Sequence, residues 1–339
     1  MSSWQNLELK ERLAILTSVS EKTGIPVENA IEKDWWVSIV LKALFQATCS
    51  THLTFKGGTS LSKGWNLIER FSEDIDLALH HSFFGDTPQN NNQRKTLRKK
   101  SRKYINETLI KELDNELKKL GINDYSVVPE EEADSDKDPT VLFVNYTSIL
   151  SEQKEYVTPT VKIEISCSSM SEPCELRDIS SLIFDYFPKE DSINTCKIPT
   201  VLPTRTFLEK IFLLSEEFCK DNPRHIRMSR HLYDLEKLMD TEFGKDALTN
   251  TDLYKQIVNH RAVNYHLGYV DYKKHHPATI AFAPSADQLG KWDNDYKDMI
   301  TNFIYEDTPK AFNELIKRME ELTARLRDME IDDNIIDNE

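Results

Sequence analysis

Glycine is scarce in this chain, at nine of 339 residues, and proline stands at thirteen. So few turn-formers argue against a loop-rich all-β architecture and favour a helix-rich protein with a modest sheet. The five cysteines, Cys49, Cys167, Cys174, Cys196 and Cys219, are odd in number and form no CxxC pair. They argue against a disulfide frame or a zinc knuckle and point to reduced thiols in a cytoplasmic protein. Basic charge is in deficit, with 43 Lys and Arg against 57 Asp and Glu, a net charge of −14. The overall field therefore opposes nucleic acid, and any such contact needs a local basic patch. Long apolar runs are lacking too. The most apolar stretch, 35–45, is too short to span a bilayer and is interrupted by Lys42, so no membrane association is expected. The opening Met1-Ser-Ser-Trp-Gln-Asn is polar and has no signal-peptide core. His80-His81 and His275-His276 are adjacent pairs rather than an i, i+4 metal pair, and neither a G-x-S-x-G elbow nor a P-loop lysine occurs.

What is present is periodicity. Helical spacing runs over 7–20 and over 26–48, where Ile31, Trp35, Val37, Ile39, Val40 and Leu44 recur on a buried pattern. Further helices are expected at about 60–69, 92–120, 204–219, 228–240 and 308–329. Strands are expected at 52–55, 75–79, 140–147 and 158–166, the last two joined through 151–155, with an acidic loop over 129–139. The character changes after Pro199 and Pro203. The expected division is a domain over 1–200, a helical domain over 201–330 completing the active-site cleft, and a frayed acidic tail over 331–339.

The chemistry concentrates in Phe55-Lys-Gly57-Gly58-Thr59-Ser60 and Arg70-Phe-Ser72-Glu-Asp74-Ile-Asp76. Alternate residues of a strand face the same way, so Asp74 and Asp76 converge at the start of the 75–79 strand. Two converging carboxylates repel unless a cation lies between them, and Mg²⁺ takes oxygen ligands of this kind together with substrate phosphates. Gly57 and Gly58 lack Cβ atoms, so their backbone can approach a triphosphate, and Thr59 and Ser60 bring hydroxyls ahead of a helix N-terminus. A DxD pair or a Gly-Gly turn alone is most often only a turn. The order strand, Gly-Gly-Thr-Ser, helix, Arg-x-Ser-x-Asp-x-Asp, strand is far more specific.

Residues 55–79 resemble motif I of the DNA polymerase β-type nucleotidyltransferase superfamily. More narrowly they resemble the AbiEii/AbiGii toxin family, the nucleotidyltransferase toxins of type IV toxin–antitoxin and abortive-infection systems. The gap between Thr59 and Asp74 is longer than in the wider superfamily. The resemblance implies an α+β fold: a polymerase β-like core with a small mixed sheet, plus a mostly helical C-terminal lobe. It implies a metal-dependent transfer of NMP from an NTP, with Mg²⁺ or Mn²⁺ on Asp74 and Asp76, and NTP contacts from Gly57, Gly58, Thr59, Ser60, Arg70 and Ser72. The superfamily's third carboxylate corresponds to Glu164 in Thr160-Val-Lys-Ile-Glu-Ile-Ser166, where Lys162 shares its face. Downstream, Thr204-Arg-Thr-Phe-Leu-Glu-Lys210 resembles the family's lysine motif, with Lys210 a point cation for the triphosphate. Ser229-Arg-His-Leu-Tyr-Asp234 resembles the next motif, with Asp234 either a general base or the residue that orients Lys210. The likeness spans about 28–300 and is sharp only at these motifs.

The acceptor implied by the resemblance is the 3′ end of tRNA, and a separately encoded antitoxin is the implied partner. The residues add one observation. Arg94, Arg98 and Arg102, with Lys95, Lys99 and Lys103, fall at i, i+4, i+8 on the 92–120 helix and form two basic stripes able to track phosphates. Arg224, Arg227 and Arg230 form a second basic group, suited to phosphate or to structural ion pairs. Two other readings stay open: a related transferase that modifies a protein hydroxyl or small molecule, and an NTP-binding regulator without turnover.

Overall fold

The computed structural model describes all residues except 1, 26, 132–133, 152–156, 333 and 337–339. Parts of the acidic loop, of the 151–155 connection and of the tail thus lie outside the described residues. The chain divides into two units, one of Met1–Asn66 with Phe71–Val201, the other of Leu67–Arg70 with Leu202–Glu339. No helix among the described residues is long and apolar enough to cross a membrane.

The first unit is a seven-stranded mixed sheet with helices. In chain order it comprises α1 (Leu9–Thr23), α2 (Glu28–Leu44), β1 (Leu53–Lys56), α3 (Gly57–Lys63), β2 (Ile75–Leu79), α4 (Asn91–Tyr104), α5 (Ile110–Lys119), β3 (Tyr125–Pro129), β4 (Thr140–Tyr146), β5 (Thr160–Ser166), β6 (Cys174–Ser180), α6 (Leu182–Tyr186) and β7 (Thr195–Val201). The sheet order is β3-β4-β5-β2-β1-β7-β6. β2 runs antiparallel to β1 and parallel to β5, so the first two strands of the motif lie at the centre of the sheet.

Helix α2 forms because its apolar residues recur all round, and nearly all of it is buried against neighbouring helices and strands β5 and β7. Trp36 stacks on Tyr146 of β4 with ring centroids 4.7 Å apart, and Trp35 meets Trp36 edge-on at 5.2 Å. Each side chain of this size withdrawn from water contributes about 1.5–3 kcal/mol, so this core determines which sheet face is dry. On β5, Val161, Ile163 and Ile165 are buried while Lys162 and Glu164 on the alternate face are only half-buried.

Several expectations change. The sheet holds three strands not read from the sequence: β3, β6 and β7. The helix expected at 60–69 begins at Gly57 and ends at Lys63, because the chain then leaves the first unit. The 92–120 helix is continuous but passes through a π-helical turn at Ile105–Leu109. Its arginine stripe turns inward, with Arg102 buried, while Lys95, Lys99 and Lys103 stay exposed. The acidic loop is anchored at its end. Asp138 accepts from Ser166 Oγ at 2.6 Å and from the backbone N–H of Cys167 at 3.1 Å.

The second unit is helical: α7 (Pro203–Phe218), α8 (Ser229–Leu238), α9 (Glu242–Ala247), α10 (Thr251–Asn264), α11 (Leu289–Asn302) and α12 (Phe312–Arg327). Pro203 opens α7, a position where its missing N–H costs nothing. The short segment 67–70 belongs here because Ile68 and Arg70 are buried, Arg70 bridges Ile304, and Tyr305 N–H donates to Glu69 O at 3.1 Å. In the tail, expected to fray, Ile335 is buried while Asp332 and Asn334 are exposed.

Candidate active site

In the first unit the parallel register of β2 and β5 sets Asp76 directly opposite Glu164, and the antiparallel register of β1 sets Lys56 opposite Asp76 on the other side. Residues opposite one another in a ladder share a face, so sheet pairing delivers Asp76 and Glu164 to one place. Asp74 lies one step before β2 and approaches the same corner. Lys162 is ion-paired with Glu164. Burial works against its charge, but Glu164, and then Asp74 and Asp76, outweigh that and hold the Lys162 ammonium above the ordinary lysine value.

The glycine turn is built around Asp76. Gly57 has φ +81°, and a Cβ there would fall 2.0 Å from Asp76 Oδ2. Only glycine admits both the backbone conformation and the carboxylate. Thr59 and Ser60, expected to reach phosphate, are buried and engaged locally: Thr59 Oγ1 lies 2.9 Å from Ser72 Oγ and bonds the Asp74 carbonyl, and Ser60 Oγ donates to Gly57 O at 2.8 Å. They brace the turn against the Ser72–Asp74 segment. Glu73, which the sequence reading passed over, forms a buried ion pair with Lys33 of α2 at 2.6 Å and ties that segment to the core. Gly57→Ala is expected to cost about 1–3 kcal/mol through strain and displacement of Asp76. Denaturant unfolding together with a transfer assay checks it; an alanine variant with full transfer would show that the close approach is dispensable.

In the second unit Asp234 of α8 is fully buried between two cations. Arg70 grips it with both arms, Nε to Oδ1 at 2.6 Å and Nη2 to Oδ2 at 2.8 Å, and Lys210 Nζ lies 2.8 Å from Oδ2. Burial opposes ionisation of Asp234, but Arg70 and Lys210 together overcome it and hold the carboxyl below the ordinary aspartate value. Burial pushes the Lys210 ammonium below the usual lysine value against the pull of Asp234, and Arg70 and Arg230 add to the lowering. His231, three residues before Asp234 and so on the same helical face, was also missed. Its Nδ1 lies 3.5 Å from Lys210 Nζ. An ammonium can only donate, so Nδ1 is the acceptor and the ring is neutral. Burial, reinforced by Lys210, Arg230, Arg70 and Arg224, drives the imidazole well below the ordinary histidine value. Arg205 pairs along its own helix with Glu209 at 2.8 Å. Arg224 N–H donates to Glu217 at 2.7 Å, and Arg227 lies over the Phe303 ring at 5.3 Å.

The sequence model of the nucleotidyl transferase AbiEii toxin family, type IV TA system, matches residues 39–318. The chain belongs to this family. It is therefore a nucleotidyltransferase toxin of the type IV toxin–antitoxin class, a membership that implies an NTP substrate and an antitoxin partner. Among solved structures it is similar to MenT4, a nucleotidyltransferase toxin from Mycobacterium tuberculosis H37Rv. The TM-score is 0.57 at 18% identity, covering 94% of this chain and 91% of that one, which supports the shared α+β fold. No curated protein matches the chain.

Nucleotidyltransferases generally use divalent metal. Asp74, Asp76 and Glu164 offer the hard oxygen donors such an ion takes. Among the described residues no group of three or more His, Cys, Asp or Glu side chains stands together so as to hold a metal ion. Lys162 holds Glu164 instead, a cation already standing among the donors. Asp74, Asp76 and Glu164 match a divalent ion in donor type and charge, with Glu164 drawn to Lys162.

Proposed function

We propose that this toxin transfers NMP from an NTP to the 3′ end of tRNA in the cytoplasm, using Mg²⁺ or Mn²⁺ held by Asp74 and Asp76 and joined by Glu164. The observation that carries the reading is the register that sets Asp76 opposite Glu164 beside Asp74. Bound there, a divalent ion would neutralise phosphate charge and stabilise the oxygens of an in-line displacement. Ser72 and the Gly57-Gly58 backbone serve the triphosphate, with Thr59 and Ser60 keeping the turn in shape. Lys210 offsets the charge of departing pyrophosphate. Asp234 acts as the orienter of Lys210 rather than as a base, because both its oxygens are engaged by buried cations. Arg70 acts through Asp234.

For the acceptor, the support beyond family membership is the exposed stripe of Lys95, Lys99 and Lys103 on an otherwise acidic chain. Incubation of the protein with each labelled NTP, Mg²⁺ and total tRNA tests the reading. Label on tRNA is the expected result. Label on protein or a small molecule would reassign the acceptor, and NTP binding without transfer would make the chain a regulator.

A further inference from the structure

The carboxylate corner has two rungs. Asp76 faces Glu164 on one, and Ile75 faces Ile163 just before it. Asp74 lies one residue before β2, and both it and Asp76 are within electrostatic reach of Lys162. The ammonium of Lys162 is bound to the third carboxylate, Glu164, beside the Asp76 rung. Its side chain is 38% exposed and that of Glu164 29%, so both ends of this ion pair reach solvent and can separate without dismantling the sheet. Carboxylates on neighbouring strands of one sheet face repel one another, and a cation bound to one of them relieves that repulsion.

We infer that Lys162 is a built-in counter-cation for Glu164 at this corner. It competes with the divalent ion for Glu164, so that Glu164 becomes a ligand only when Lys162 lets go. The inference rests on the proposed metal role of Asp74 and Asp76. A solvated strand lysine would be indifferent to metal loading, whereas a counter-cation opposes it twice: by occupying a ligand and by placing like charge beside the incoming ion. Lys162 is a positioning residue in this sense, since it acts through Glu164.

The test is binding of Mn²⁺ alone, without nucleotide, followed by electron paramagnetic resonance on the full chain. Lys162→Met is expected to tighten binding about tenfold, from removal of a unit charge within a few ångströms of the ion. Lys162→Gln should do the same, guarding against a packing effect of methionine, and Lys162→Arg, which keeps the charge, should bind as the wild type does. Glu164→Gln should weaken binding more in the Lys162→Met background than in the wild type, because only there is Glu164 fully available. Neutral variants that bind no more tightly than wild type overturn the inference, as does an equal cost of Glu164→Gln in both backgrounds. Asp76→Ala separates the two levels of argument. If wild-type Mn²⁺ binding survives that change, the metal reading itself fails and takes the inference with it. If Asp76→Ala abolishes binding while the Lys162 variants are neutral, only the inference falls.

Discussion

Asp76→Ala is expected to lower nucleotide transfer on the order of 10³-fold or more while leaving the fold standing. The metal's share of transition-state stabilisation is several kcal/mol, and each 1.36 kcal/mol is a factor of ten in rate. Asp76 occupies the central position of the corner, with Glu164 on one flank and Lys56 on the other, so no neighbouring carboxylate can replace it. Stability should change little, because the side chain is only half-buried. The measurement is single-turnover transfer from labelled NTP beside a thermal unfolding curve. Wild-type transfer in a folded Asp76→Ala protein would end the active-site assignment.

Asp234→Ala should behave differently, abolishing transfer and also destabilising the second unit by about 3–5 kcal/mol. Its removal leaves the Arg70 guanidinium and the Lys210 ammonium buried without a counter-charge, and breaking a buried pair from one side has a cost of that size. Lys210→Ala should abolish transfer with a smaller loss of stability, because Asp234 keeps its two-armed contact with Arg70. Urea unfolding followed by far-ultraviolet circular dichroism distinguishes the two. The pH dependence follows from the depressed carboxyl of Asp234. Its contribution is present in full above the unfolded value of about 3.9, and is lost as pH falls through the lower folded value. Asp234→Asn should therefore flatten the acid limb of the stability curve below about pH 4. An Asp234→Ala protein unfolding at the wild-type urea concentration would show that the buried cations find other partners.

The local part of the site was legible without coordinates. Strand alternation alone brings Asp74 and Asp76 to one side, whereas the approach of Gly57 to Asp76 comes from the pairing of β1 with β2. Glu164 was legible as a residue on the polar face of an alternating strand. The missed strands share a cause: their alternation is weak. β3 is an exposed edge strand, β6 exposes Leu176 at 60%, and β7 carries Pro199, which argues against a strand interior. The helix expected at 60–69 failed because local periodicity cannot register that 67–70 is captured by other helices.

The sequence by itself determined the chemistry of the motifs, the family and the α+β class, because these depend on residue type, short spacing and periodicity. Only tertiary structure decided what each charged group faces. Register brought Asp76 to Glu164, and burial made Arg70 a clamp on Asp234, 164 residues away, where a phosphate contact was expected. A charge's role depends on its nearest opposite charge and on its access to water, and neither is a property of the linear chain.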